Sequence, residues 1–176
     1  ARIRGYDDAS KHMNHYLGNS GLTYSIDYSG LISEVKNAQL ARDTEVDLAI
    51  AFAESIKGQR SFRISSHSAT GSYAVKEQSK NWYYAVGGYS TWGKGNVTTN
   101  GCKYKMEFTL KFGDRYNWDA GKSVTIFGKK VPDISLGRLH QVGIAQEFDM
   151  TGDVKYTVEW KRGERVGSGA TVKGGR

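Results

Sequence analysis

The chain has 176 residues, of which 38% are apolar and 12% aromatic, with 22 glycines, one proline and a formal charge of +7. This length and balance suit one domain with at most a small appendage, exclude a largely disordered chain, and favour β structure with many tight turns. Cys102 is the single cysteine, so no internal disulfide can form, and no apolar run approaches the length of a membrane-spanning helix or a secretory leader.

Taken in chain order, DDASKHMNHYLGN predicts a helix. Asp7 or Asp8 caps it, Gly18 closes it, and Met13, Tyr16 and Leu17 form its apolar side. His12 and His15 lie one turn apart, but no carboxylate or thiol stands nearby to complete a zinc set. LTYSIDYSGL predicts extended chain. DTEVDLAIAFAESIKG predicts a second helix, capped at Asp43 or Thr44 and ended by Gly58. Val46, Ala49, Ile50, Ala53 and Ile56 form its core stripe.

From Arg60 the period changes to two. RSFRISSH, GSYAVKE and NWYYAVGGYSTWG read as extended. CKYKMEFTLKF alternates Cys102, Tyr104, Met106, Phe108, Leu110 and Phe112 with a basic outer set, which is a half-buried strand. That strand is expected to end at Phe112, with a kink or bulge at Gly113. SVTIFG is a short strand, PDISLGRLHQVGIAQEF a helix opened by Pro132, and DVKYTVEWK a final strand. RGERVGSGATVKGGR has no periodicity. The expected division is one domain over residues 1–161 and a mobile basic tail over 162–176. The plan is α+β: a twisted, antiparallel, barrel-like sheet with two N-terminal helices and one late helix.

Charge is uneven, about −2 over residues 1–58 and about +9 over residues 59–176. A basic portion of this kind suits nucleic acid, anionic headgroups or pyrophosphate, or serves solubility alone. The segment FGDRYNWDAGKS, residues 112–123, gathers two aspartates, two cations and, after Phe112, two further aromatics at a sheet rim. A plain hairpin needs none of these, and strand ends beside loops commonly hold catalytic groups. The structural alternative is a local cluster in which Asp114 pairs with Arg115 or Lys122 while Tyr116 and Trp118 pack. His140 in GRLHQVG is a candidate acid or base near neutral pH. Phosphate-loop, HExxH, CxxC and GxSxG patterns are absent. SKNWYYAVGGYSTWGKG mixes aromatics with cations and suits either stacking on bases or sugars or plain strand pairing.

Asp114-Arg115-Tyr116-Asn117-Trp118 resembles the Asp-x-Tyr-Asp-aromatic run of the colicin M-like catalytic domains. HYLGNSG (15–21), SATGSY (68–73) and GRLHQVGIAQEFDMTGDVKYTVEW resemble further segments of that family in the same order. The resemblance implies a half-open, barrel-like sheet and an antibacterial toxin domain that hydrolyses lipid II, the undecaprenyl-pyrophosphate-linked peptidoglycan precursor, usually with Mg²⁺. It implies delivery from a producer, action in the periplasm of a target cell at the membrane surface, and a cognate immunity protein. A chain that begins without Met fits an effector domain cut from a longer polypeptide. Carried over residue by residue, Asp114 matches the family's leading aspartate, as metal ligand or base, and Tyr116 its tyrosine. Asn117 stands where the family has a second aspartate, and Asp119 is the nearest replacement. The family's His-Arg pair has no counterpart here. His140 is the imidazole offered in its place, with Arg115, Lys122 or Arg138 to meet phosphate. A β-rich module that binds glycan or protein, and a nuclease toxin, are the competing readings; no stable nucleic-acid partner is favoured.

Overall fold

The computed structural model describes residues 5–118, 123–126 and 129–176. Helix α1 spans Asp7–Leu17. Asp7 and Asp8 occupy its first turn, where they suit the helix dipole, but neither is the cap. The free N–H groups of Asp8 and Ala9 are met by Asn81 Oδ1, at 2.9 and 3.1 Å. The buried side is Ser10, His12 and Tyr16, while Leu17 is left exposed. Gly18 keeps helical φ, and the reversal falls on Asn19 at φ 55°.

Of the segment expected to be extended, only β1 (Tyr24–Ser25) is a strand. Asp27 then accepts from Gly30 N at 3.0 Å and starts α2 (Tyr28–Glu34), which buries Leu31 and Ile32. Helix α3 runs Lys36–Ser55, so Asp43 and Thr44 are interior rather than capping. Thr44 Oγ1 donates back to Leu40 O at 2.9 Å. The expected stripe holds at Val46, Ile50 and Ala53, which are fully buried, while Ile56 lies just past the helix end. A further helix, α4 (Lys80–Ala85), interrupts NWYYA; Ser79 caps it by accepting from Trp82 N at 3.3 Å. Helix α5 spans Asp133–Gln141, directly after Pro132, and Gly143 at φ 75° turns the chain beyond it. The described residues therefore form five helices where the periodicity predicts three.

The main sheet runs β2 (Ser61–Ser65), β4 (Gly88–Asn100), β5 (Lys103–Tyr116), β8 (Phe148–Lys161), β10 (Gly169–Gly174), β9 (Arg165–Val166). Neighbours along this path are antiparallel, except the β10–β9 pair. Strand β3 (Thr70–Tyr73) pairs with β4, and β1 joins β8 in parallel. Strands β6 (Ser123–Ile126) and β7 (Lys129–Pro132) form a separate hairpin. The fold is thus an α+β, half-open, barrel-like sheet, as expected, with the two parallel pairs added at its margins. Cys102 sits exposed in the β4–β5 turn rather than half-buried on a strand.

Alternation sets the two faces. Met106, Leu110, Phe112, Met150, Val154 and Val158 are essentially inaccessible on the inner face, which α3 covers together with α1, α2 and α4. Their odd-numbered chain neighbours on β5 and β8 are exposed or half-buried on the outer face. Gly93 and Gly95 of β4 lie on the inner face because Phe108 and Met106 cross over them. A side chain at Gly93 would fall inside the Phe108 ring. Gly93→Ala is expected to cost about 2–3 kcal/mol through this overlap, read as a lowered urea midpoint at unchanged slope.

Two expectations about the chain are corrected. Strand β5 does not end at Phe112. Its ladder with β8 continues unbroken through Gly113↔Thr151 and Asp114↔Met150 to Tyr116↔Phe148, with no bulge. Gly113 is small because the Trp92 ring lies over it; a Cβ there would approach that ring to 2.8 Å. Residues 162–176 are not an unstructured tail. They form β9 and β10 and extend the sheet beyond β8. Glu54, at the end of α3, holds them: it accepts from Gly163 N (2.8 Å), Trp160 Nε1 (3.2 Å) and Arg165 (3.3 Å). Burial pushes this carboxyl up, but the Gly163 N–H and Arg165 outweigh it and hold the group below its ordinary range.

Candidate functional site

Because β5 runs on to Tyr116, alternation places Asp114 on the inner face, between Phe112 and Tyr116 and opposite Met150. Every other inner position of β2, β4, β5 and β8 is apolar, aromatic, glycine or threonine. Asp114 is the one charged side chain on that face of these four strands, and it is half-buried. A carboxylate on an apolar surface carries a desolvation cost that packing alone does not explain, which marks it for function.

The walls around it are aromatic. Tyr116 stacks on Phe148 with centroids 4.9 Å apart and 15° between planes. Trp118 meets Tyr116 edge-on at 5.5 Å and Tyr16 at 6.0 Å. Tyr16 in turn donates to Leu136 O at 2.7 Å, which pins α1 to α5. Trp118 packs its backbone against Gly137; a Cβ there would come within 3.2 Å of the Trp118 carbonyl. Burial, with smaller effects from Tyr16 and Asp133, pushes the Tyr116 phenol far up. Tyr116 is therefore a neutral wall and not a base.

The other expected residues divide among places. Arg115 projects from the opposite face of β5. It is held there by Glu147 (3.4 Å) and Asp149 (3.2 Å) rather than by Asp114. Asn117 and Arg138 are exposed. His140 is half-buried in the last turn of α5, and its Nδ1 accepts from Glu147 N, just before β8, at 3.4 Å. That bond leaves the ring proton on Nε2 in the neutral form. Asp119 and Lys122 lie outside the described residues. The structure thus brings together Asp114 and Tyr116 on one face, turns Arg115 to the other, and keeps His140 on α5 against Glu147.

His12 is a residue whose place the sequence did not reveal. It is not half of a metal pair: its Nδ1 donates to Ala85 O at 2.8 Å and its ring is buried. It touches Tyr24 (4.9 Å) and Tyr116 (6.0 Å) edge-on, over the corner of the sheet where Tyr24, Met150 and Asp114 share a row. His15 Nε2 instead donates to Leu22 O at 2.7 Å. The available signal was the i, i+4 spacing of His12 and Tyr16 on the helix side that turns inward. Burial lowers the His12 pKa, against the opposing effect of its bond to Ala85. The neutral ring is favoured in the fold, so its stabilisation is complete above the unfolded value, about 6.5, and falls as pH drops towards the lower folded value. The melting midpoint is expected to be lower near about pH 5.5 than near about pH 7.5, with His12→Asn flattening that slope; calorimetry across the range checks it.

No protein-family model matches the chain, and neither a curated protein nor a solved structure does. The fold and site on their own define an α+β domain with a half-open sheet that presents a single acid from an aromatic-walled inner face.

Proposed function

We propose that this chain is the catalytic domain of an antibacterial toxin that hydrolyses lipid II at its undecaprenyl-pyrophosphate linkage and so blocks peptidoglycan synthesis. The observation that carries this reading is Asp114, the lone inner-face charge, set on the strand end that holds the Asp-x-Tyr run. The half-open sheet is what the resemblance leads one to expect. In the proposed reaction the Asp114 carboxylate takes a proton from water as its oxygen bonds to the phosphorus beside the lipid. The P–O bond to the lipid breaks, and the leaving oxygen takes a proton from an acid, for which His140 is the candidate. Tyr116 and Trp118 hold the strand end and shield it from bulk water. Asp114 is the residue that would hold Mg²⁺ together with the substrate phosphates, where the ion would supply charge neutralisation at the pyrophosphate. The reading carries with it action in the target periplasm and a cognate immunity protein in the producer.

The test is incubation of the folded chain with lipid II and Mg²⁺, with and without EDTA, followed by chromatography of the lipid products. Release of undecaprenol is the expected result. No turnover by a folded chain would overturn the reading and move the binding-module and nuclease alternatives ahead.

A further inference from the structure

The main sheet ends at β2, which among the described residues has a strand on one side only, β4. The phase of that ladder is fixed at both ends: Thr99 N donates to Arg60 O at 2.9 Å and Ser66 N to Gly93 O at 2.8 Å. Bonded positions alternate in an antiparallel pair, so Phe62 and Ile64 also bond to β4. Ser61, Arg63 and Ser65 therefore turn their backbone N–H and C=O groups outward, as a short template for another strand. Residues 55–76, which contain this edge, carry Lys57, Arg60, Arg63 and Lys76 and no Asp or Glu. Lys94 stands one strand in, opposite Ser65. The acids of the outer face lie further in. Glu107 is beyond Asn96 on β5 and accepts from Thr157 at 3.0 Å, and Glu159 faces Lys105 across β5 and β8. On the helix side Glu45 is buried and accepts from the Ser66 and Thr70 hydroxyls.

An apolar slot opens beside this edge. Ala41, Glu45, Leu48 and Phe52 follow one another along one stripe of α3. The first two are buried, yet Leu48 is 57% and Phe52 51% exposed. The stripe loses its cover over Gly93 and Gly95, which have no side chain to reach the helix. What remains is a cavity of about 1180 Å³ on the inner face, bordered by Leu48, Ala49 and Phe52 of the helix and by Ile64, Gly95 and Phe108 of the sheet. Ile64 and Ser65 of β2 belong to that border, so the slot reaches the free edge. A strand added to β2 would point alternate side chains into the slot and the others onto the outer face beside Arg63. An arginine on an edge guards against pairing with like edges, but guarding calls for no apolar slot behind it.

We propose that β2 is a docking edge for an acidic, extended segment of a partner protein, which adds as a further strand with its apolar side chains under α3 and its carboxylates beside Arg63. This docking is independent of whether the chain hydrolyses a lipid-linked pyrophosphate. The probe is a phage-displayed library of random peptides of about ten residues, selected on the immobilised full chain. Enriched sequences are expected to alternate Asp or Glu with Val, Ile or Phe. The strongest binder, made synthetically, is expected to lose binding when alternate backbone nitrogens of one register are methylated and to keep it when those of the other register are. Leu48→Ser with Phe52→Ser should weaken binding about hundredfold, from about tenfold for each apolar side chain. Arg60→Gln with Arg63→Gln should weaken it about tenfold, from about threefold for each charge, and flatten its salt dependence. Lys173→Gln, on β10 at the other side of the sheet, should leave it unchanged. All five side chains are exposed, so each variant is expected to fold, which circular dichroism verifies. Enrichment of no acidic alternating sequence, tolerance of methylation in both registers, or either double variant binding as the parent does would overturn the proposal. So would self-association of the chain that Leu48→Ser with Phe52→Ser abolishes, since a second copy would then hold the edge.

Discussion

Asp114→Asn is expected to lower turnover of lipid II about 10³-fold while leaving the domain folded. The substitution keeps the shape of the side chain and removes only its charge and its basicity. Asn cannot accept the water proton, so the attacking oxygen stays a weak nucleophile. The fold has little reason to suffer. Asp114 faces Met150 across the ladder and stands between Phe112 and Tyr116, all of them buried apolar or aromatic side chains. Asn keeps the size of the side chain and an accepting oxygen, so the domain is expected to stay folded with a thermal midpoint near that of the parent. Lost activity with a retained melting midpoint separates a chemical role from a structural one. Full activity in the Asn variant would remove Asp114 from the mechanism.

Deleting residues 162–176 is expected to cost at least about 4 kcal/mol, close to the whole stability of many domains this size. Strand β10 pairs with β8 from Thr171↔Glu159 to Gly174↔Tyr156, and that ladder goes at once. Asp47 loses the Val166 N–H that it accepts at 2.8 Å, and Tyr104 loses its bond from Arg162. Glu54 loses both Gly163 and Arg165, so a carboxylate whose side chain is only 12% exposed keeps Trp160 as its chief remaining donor. The bared edge of β8, a fourteen-residue strand, also becomes a template for pairing between molecules. Urea unfolding and sedimentation of the shortened chain check this. An unchanged midpoint would show that these strands are dispensable.

The long strands were legible because their alternation is strict: Tyr104 to Phe112 in β5 and Val154 to Trp160 in β8 point inward at every second position. The short helices were not. SIDYSGL and NWYYA are rich in tyrosine and other strand-favouring residues, and each becomes helical because one polar side chain, Asp27 or Ser79, caps the first turn. Local propensity yields there to a cap and to burial of Leu31 and Trp82. The early start of α3 escaped notice because residues 36–42 carry a weaker apolar stripe, and Ala38 and Ala41 are buried through small size. Gly113 read as a bulge because a glycine made small by a ring on the neighbouring strand looks the same in sequence as one made to bend. That misreading also hid the placement of Asp114, since a strand ended at Phe112 assigns it no face. The Asp-x-Tyr run singled out Asp114 as a candidate without showing which face it takes. The turning away of Arg115, and the arrival of His12 over the same corner, depend on contacts across the chain that no local pattern encodes.

Strand β8 has a further consequence, for the time course of folding. It pairs with β1 near one end of the chain, β5 in the middle and β10 at the other end. Half the sheet thus waits on a strand that leaves the ribosome after most of the chain has been made. Helix α2, which packs on β8, waits with it, whereas α1 and α3 find α4, β3 and β4 earlier in the chain. Such separation between partners places the domain among the slower folders, in the millisecond-to-second range. The inner face around Asp114 is therefore complete only once β8 has paired with β5.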